Sequence, residues 1–239
     1  MLDVGAGDGA LLDALRARGR SAVGLERPAG AGAGAGAGDG PGHASLPVEG
    51  VGSPRQANGR PDLRLVEIDE IDEPFAAVVF WHALEHLRRP AEYLERAGAL
   101  LEPGGVLIVA VPNAASVQAR AFGERWLGLD LPRHLVHLPL PALVARLRDL
   151  GLTVERVSHL RGGQVVFGWL HGLVGTLPGD LDLYDAIRRP AARRRATTAR
   201  VRTATLGAAL LLFPIALALA LAEAAAGHGG TVYVEARRG

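Results

Sequence analysis

Three side chains in the stretch "FWHALEHL", His82, Glu85 and His86, carry the H-x-x-E-H spacing that can gather two imidazoles and a carboxylate around one zinc ion. That geometry needs a continuous α-helix, in which residues four apart share a face. The segment leading in, "AAVVFW", has the composition of a buried strand, so His82 falls at a strand end and helical structure starts only at Leu84. The shared face is then lost, and no third ligand follows at a set spacing. His82 is expected to line a pocket, with no metal, and His86 serves equally well as a helix-start residue satisfied by local backbone.

A second constellation surrounds the loop "GAGDGA". The loop, with Gly5, Ala6, Gly7 and Gly9, fits the G-x-G-x-x-A dinucleotide fingerprint through Gly5, Gly7 and Ala10, and Glu26 sits near the distance expected for a ribose-binding acid. An NAD-type oxidoreductase is therefore a competitor. Charge argues against it. A pyrophosphate wants bare backbone amides at a helix N-terminus, yet Asp3 precedes this loop and Asp8 lies inside it. Carboxylates there suit a cationic ligand carrying an ammonium and a sulfonium.

The elements that must position these groups follow from periodicity. "MLDVGAG" is an apolar strand running into glycines, "DGALLDALRARG" has helical spacing, and "SAVGLE", "LRLVEI" and "AAVVFW" are further strands. "PAEYLERAGALL" is a helix with Pro90 in its first turn, broken by "PGG" before the strand "VLIVAVP". "PALVARLRDLG" is a helix, while "LTVERVSHL" and "TVYVEARR" are strands. Strands that alternate with helices and are apolar on both faces predict an α/β fold, a mostly parallel Rossmann-like sheet covered on both sides. Residues 28–61, with "AGAGAGAGAGDGPGHAS", bury little and are expected to form a flexible Gly/Ala-rich loop. A central strand at the first residue leaves no preceding helix, which predicts either a truncated start or a pocket without its N-terminal cover.

In open parallel sheets, ligands bind beyond the carboxyl ends of the strands. The glycine loop follows the first strand, Glu26 the second, Asp69 the third, His82 the fourth, and Pro112 with Asn113 the fifth. Five positions in register point to an adenosine-type site.

The segments "LDVGAGDG", "GLE" and "FWHALEHLRRPAEYLERAGALLEPGGVLIVAVPN" resemble, in order and spacing, the class I S-adenosylmethionine-dependent methyltransferases, in particular the branch with the ubiquinone-type O-methyltransferases. The similarity runs from Met1 to about Val157. It implies a seven-stranded sheet closed by an antiparallel hairpin, with S-adenosyl-L-methionine as cofactor. It also implies that Asp3, Gly5, Ala6, Gly7 and Gly9 shape the methionine end of the site. Glu26 would sit on the ribose hydroxyls, Asp69 near the adenine amino group, and His82 in the wall. Where the family has Phe-Asp at the start of the fourth strand, this chain has Phe75-Ala76.

A second polar cluster, "LDLPRHLVHLP", brings Asp130, Arg133, His134 and His137 after the fifth strand, where this fold closes over the acceptor. Methyl transfer needs an in-line acceptor and, for a hydroxyl, a base, which an imidazole titrating near neutrality supplies. His134 is the candidate base and Arg133 the orienting cation. A loop-pinning role for both stands beside this one.

The C-terminal third holds residues the core fold does not need. "RRPAARRRATTARVR" has seven Arg and no acid, and "TLGAALLLFPIALALALA" runs for 18 residues without a charge, long enough as a helix for about 27 Å of a roughly 30 Å hydrocarbon core. Three placements remain: peripheral membrane contact through residues 165–222, a buried cap, and a true span. The domain organisation expected is therefore a methyltransferase core over 1–160, an apolar helical insertion over 161–230, and a last strand over 231–239.

Composition bounds the partners. Net charge is +1, and nothing points to nucleic acid. No Cys is present, which excludes disulfides and thiolate chemistry. Every basic residue apart from histidine is Arg, and with abundant Ala and Gly this reads as a GC-rich genome. No secretory signal opens the chain, so a cytoplasmic protein, at the inner face of the membrane where it touches one, is expected. The function expected is methylation of a small or lipid-like acceptor. The competitors are the oxidoreductase and a non-catalytic, membrane-associated relative.

Overall fold

The structure, a computed structural model, describes residues 1–26, 62–160, 163–187 and 198–239. The whole Gly/Ala-rich run over 28–61 and Arg193, Arg194 and Arg195 lie outside the described residues. From the N-terminus come β1 (Leu2–Val4), α1 (Ala10–Arg16), β2 (Val23–Leu25), β3 (Leu63–Arg64), β4 (Phe75–Trp81), α2 (Pro90–Ala99) and β5 (Leu101–Pro112). They are followed by α3 (Val117–Phe122), α4 (Leu140–Asp149), β6 (Leu152–Ser158), α5 (Gln164–Gly175), α6 (Leu183–Ile187), α7 (Ala199–Ala225) and β7 (Thr231–Arg238).

The strands form one seven-stranded sheet ordered β3-β2-β1-β4-β5-β7-β6. Pairs β1–β2, β1–β4, β2–β3 and β4–β5 are parallel. The last strand reverses direction. Gly230, at its start, accepts from the Asn113 N–H at the end of β5, whereas Arg238, at its other end, reaches the Leu101 carbonyl at the start of β5. The expected α/β architecture with its antiparallel finish is what the chain adopts.

Two compact units divide the chain: Met1–Val111 with Pro141–Val157 and Val234–Gly239, and Pro112–Leu140 with Ser158–Tyr233. In the first, Leu2, Val78, Val79, Phe80, Leu107 and Val109 fill the sheet, while Leu12, Leu94 and Leu147 are the buried stripes of α1, α2 and α4. Each such side chain contributes roughly 1.5–3 kcal/mol by leaving water.

Two local details differ from the sequence expectation. β3 stops at Arg64 because Glu67 and Glu70 form a reciprocal capping box that opens a 3-10 turn over Ile68–Glu70. The "PGG" break does not end an element cleanly. Leu101 already pairs with Phe75, Val106 then pairs with Ala77, and the residues between are extruded at that irregularity, with Gly104 at φ 75°.

Candidate functional site

In the first unit, the chain turns out of β1 through Gly5, whose φ of 80° is left-handed. A Cβ there would lie 2.5 Å from the Ala83 Cβ, so a side chain is excluded on both grounds. The Gly5 and Ala6 N–H groups donate to the Leu25 carbonyl at 2.9 and 3.0 Å, tying the loop to the end of β2. Gly7 donates its N–H to Glu26 Oε2 at 2.9 Å, and Gly9 opens α1. The expected ribose acid and the glycine loop are thus held together by one hydrogen bond.

Asp3 sits on β1 immediately below this loop and is 4% exposed. Its carboxyl is raised from an ordinary 3.8 to about 6, mainly because burial penalises the charge, and further because the Glu26 carboxylate is close. Asp69 lies in the 3-10 turn after β3, exposed at its surface.

His82 follows β4 directly, in a left-handed conformation (φ 52°) uncommon for a residue with a side chain. Its N–H donates to the Ala110 carbonyl at 2.9 Å, extending the β4–β5 ladder by one residue. The side chain turns back on Glu85, with Nδ1 3.2 Å from Oε1. Glu85 and His86 stand on a 3-10 turn over Leu84–His86. The H-x-x-E-H letters therefore straddle a strand end and a tight turn, as the strand reading required, and not one α-helical face. With Nδ1 donating to Glu85, Nε2 is the ring atom left for other partners. That nitrogen and Glu85 Oε2 are buried without a hydrogen-bond partner among the described residues. Glu85, 2% exposed, was legible only as part of the zinc spacing; its role as the anchor of His82 was not.

The second unit carries the other candidates. Asn113, 2% exposed, is a staple: its Nδ2 donates to the Gly229 carbonyl at 3.1 Å, and its Oδ1 accepts from the Ala115 and Leu140 N–H groups. This is a structural duty at a position the strand-end pattern had marked for ligand binding. Arg133 pairs with Asp130 at 2.6 Å. His134 is buried, its Nδ1 donating to the Gly128 carbonyl at 2.7 Å and its Nε2 4.0 Å from Asp130. His137 bonds the Leu129 carbonyl through Nε2 at 2.9 Å. One short loop therefore holds Asp130, Arg133, His134 and His137 together.

Beside that loop the second unit has an open cavity of about 590 Å³, with Trp126, Asp130, His171, Asp182 and Tyr184 in its wall. His171 Nδ1 is 3.9 Å from Asp182. Burial holds the His171 imidazole below its ordinary value, and the nearby Asp182 carboxylate opposes that shift. No local pattern marks this cavity, because its walls come from segments some fifty residues apart.

A mostly parallel sheet of this order, with a glycine loop after its first strand and an acid after its second, defines the class I S-adenosylmethionine-dependent methyltransferases. The chain belongs to the methyltransferase-domain family, which matches residues 1–157. It is 29% identical over 135 residues to a ubiquinone biosynthesis O-methyltransferase of Bradyrhizobium sp., covering 53% of this chain and 47% of that protein. The chain thus spans about half the length of that relative. Among solved structures, a SAM-dependent methyltransferase from Archaeoglobus fulgidus aligns over 99% of this chain and 85% of its own, with TM-score 0.51 and 13% identity. A mycolic acid cyclopropane synthase, solved in complex with SAH and CTAB, aligns over 99% and 77%, with TM-score 0.51 and 18% identity. These likenesses are of fold.

Proposed function

We propose that the protein is an S-adenosylmethionine-dependent methyltransferase that methylates a hydroxyl of a small or lipid-like acceptor, in the cytoplasm at the inner face of the membrane. The observation that carries the cofactor side is the buried Asp3 beneath a glycine loop whose Gly7 is bonded to Glu26. Two carboxylates placed against each other cost the empty protein energy that a cation recovers. S-adenosylmethionine, when bound, supplies a methyl group on an electrophilic sulfonium and carries an ammonium besides. A dinucleotide, with its negative pyrophosphate, would meet the wrong sign of charge.

On this proposal Gly5, Ala6, Gly7 and Gly9 wrap the methionine end, Asp3 answers its positive charge, and Glu26 takes the ribose hydroxyls. Asp69 lies toward the base. His82 forms the wall, its ring fixed by Glu85. The name of the ubiquinone O-methyltransferase relative supports oxygen as the atom methylated. The acceptor meets the Asp130–His137 loop, where Arg133, paired with Asp130, orients it. His134, its Nδ1 proton committed to the Gly128 carbonyl, offers Nε2 as the base.

Isothermal titration tests this: S-adenosylmethionine should bind and NAD should not, with Gly7→Arg and Glu26→Ala each weakening binding by tenfold or more. Tight NAD binding, or an unaltered Glu26→Ala variant, overturns the cofactor assignment. His134→Ala should lower turnover by roughly a hundredfold with cofactor affinity unchanged; full activity across pH 6 to 9 would reduce His134 to a loop pin.

A further inference from the structure

Helix α7 has its residue sizes reversed relative to a water-exposed helix. Toward α5 and α6 it buries Thr205, Ala209, Ala216, Ala220 and Glu223. Outward it turns Leu206, Leu210, Leu211, Phe213, Leu217 and Leu221, with Leu210 and Leu211 78% and 79% exposed. A helix with water on its outer side buries its large apolar residues and shows its small or polar ones. Here the alanines make the close protein contact and the leucines face away, the distribution of helices whose outer surroundings are hydrocarbon. Mean hydropathy over its most apolar 18-residue window is 2.3, yet only 22% of that window is buried. A core helix is covered; among the described residues, this one is not.

We infer that the outward face of α7 docks on an anionic lipid surface, with the helix lying in the plane of the interface. Charge selects the occupant. Arg200 and Arg202 stand in the first turn of α7, and the sequence from 188 to 202 holds no acid, so this end is drawn to a negatively charged leaflet. Topology sets the orientation. The chain leaves from β6 and returns in β7, its neighbour in one sheet, so a single crossing would strand the last strand on the far side. A crossing and return through α5 fails on length, because its 12 residues reach only about 18 Å of a roughly 30 Å core. Pro214 adds a third constraint: it has no N–H to donate, so the Leu210 carbonyl lacks its helical partner. A headgroup region satisfies such a carbonyl and a hydrocarbon core does not.

The test uses the full chain and vesicles of equimolar phosphatidylglycerol and phosphatidylcholine. Wild type should co-sediment with them, less so at high salt, and hardly at all with phosphatidylcholine alone. The triple variant Leu210→Gln, Leu211→Gln, Phe213→Gln should lose at least tenfold in partitioning while keeping its melting temperature, since these side chains pack against little. Because the chain has no Cys, Leu206→Cys, Phe213→Cys and Leu221→Cys can each carry a single spin label. A flat helix gives three similar depths, whereas a span gives a deep middle and shallow ends and overturns the orientation. Unchanged partitioning in the triple variant overturns the lipid proposal, as does a wild-type dimer in solution that the variant breaks into monomers. The inference stands on α7 and not on the methyltransferase assignment: S-adenosylmethionine titration of the triple variant should be unaltered, so either conclusion can fail alone.

Discussion

One buried carboxylate from each unit, Asp3 in the first and Glu223 in the second, is shielded from water to the same extent and treated in the opposite way. Asp3 and Glu223 are both 4% exposed. Glu223 accepts from the Gln118 N–H at 2.9 Å, from Gln118 Nε2 at 2.9 Å and from Trp169 Nε1 at 2.8 Å. Three donors from α3 and α5 meet on one acid of α7, and Gln118 Nε2 also reaches the Val165 carbonyl at 2.9 Å. Among the described residues Asp3 meets no such donors; its electrostatic neighbour is another acid, Glu26. A carboxylate that holds a fold is fully satisfied within it. One that is desolvated and faced by like charge is left waiting for a positive ligand. On the proposed function, the contrast separates an acid that holds the fold from one that serves the cofactor.

The largest effect should come from breaking the satisfied acid. Glu223→Leu strands a buried backbone N–H, an amide N–H and an indole N–H at once, each costing about 1–3 kcal/mol. Denaturant unfolding should show a loss on the order of 3 kcal/mol or more, and Glu223→Gln, which keeps one acceptor oxygen, a clearly smaller one. If Glu223→Leu is as stable as wild type, the three-donor hub is not what binds α7 to α5 and α3.

Asp3 should answer differently. Its folded pKa, about 6, lies above the ordinary 3.8, so the protonated acid favours the fold. Its contribution to stability is complete below about pH 3.8 and is lost as the pH rises through 6. At about 1.4 kcal/mol per pH unit, the ionised form costs the unliganded fold on the order of 3 kcal/mol at neutral pH. Asp3→Asn should flatten the stability difference between pH 4 and pH 7 relative to wild type. Cofactor affinity runs the other way: a bound cation pulls Asp3 to its ionised form, so binding should tighten as pH rises through 6, and should weaken at least tenfold in Asp3→Asn. Identical pH profiles for the variant and wild type would make Asp3 a bystander.

The same contrast explains what the sequence could reveal. Local demands write themselves into it. The left-handed turns at Gly5, Gly7 and Gly9, the acid at 26 and the strand ending before His82 were all legible, because each depends on a few neighbouring residues and a fixed period. The short β3 was less so: "LRLVEI" reads as strand, and the Glu67–Glu70 capping box won over it. Long-range bonds leave no local trace. Glu223 meets Gln118 across 105 residues and Asn113 meets Gly229 across 116, so neither the hub nor the staple could be read from spacing. For α7 the sequence shows apolar character all round and therefore cannot say which face is covered. Only packing shows that the alanines turn inward.

The smallest effect tests whether a titrating group in the second unit behaves with the opposite sign to Asp3. His159, just beyond β6, accepts the Gly229 N–H on Nδ1 at 3.1 Å, at the point where the chain returns from α7 to β7. Burial is the main reason its pKa is held below 6.5; the charge of nearby His228 adds to this, while Glu223 opposes it. The neutral ring favours the fold. Its stability contribution is therefore complete above pH 6.5 and is lost as the pH falls through the depressed folded value, the reverse of Asp3. Protonating Nδ1 also removes the acceptor for the Gly229 N–H, a bond worth roughly 0.5–1.5 kcal/mol. His159→Asn should cost about that much at pH 8 and leave a smaller difference from wild type in mild acid. The double variant with Asp3→Asn should show the two pH effects adding, as expected for groups without shared partners. A His159→Asn penalty that grows on acidification would mean that the imidazolium, not the neutral ring, secures the turn into β7.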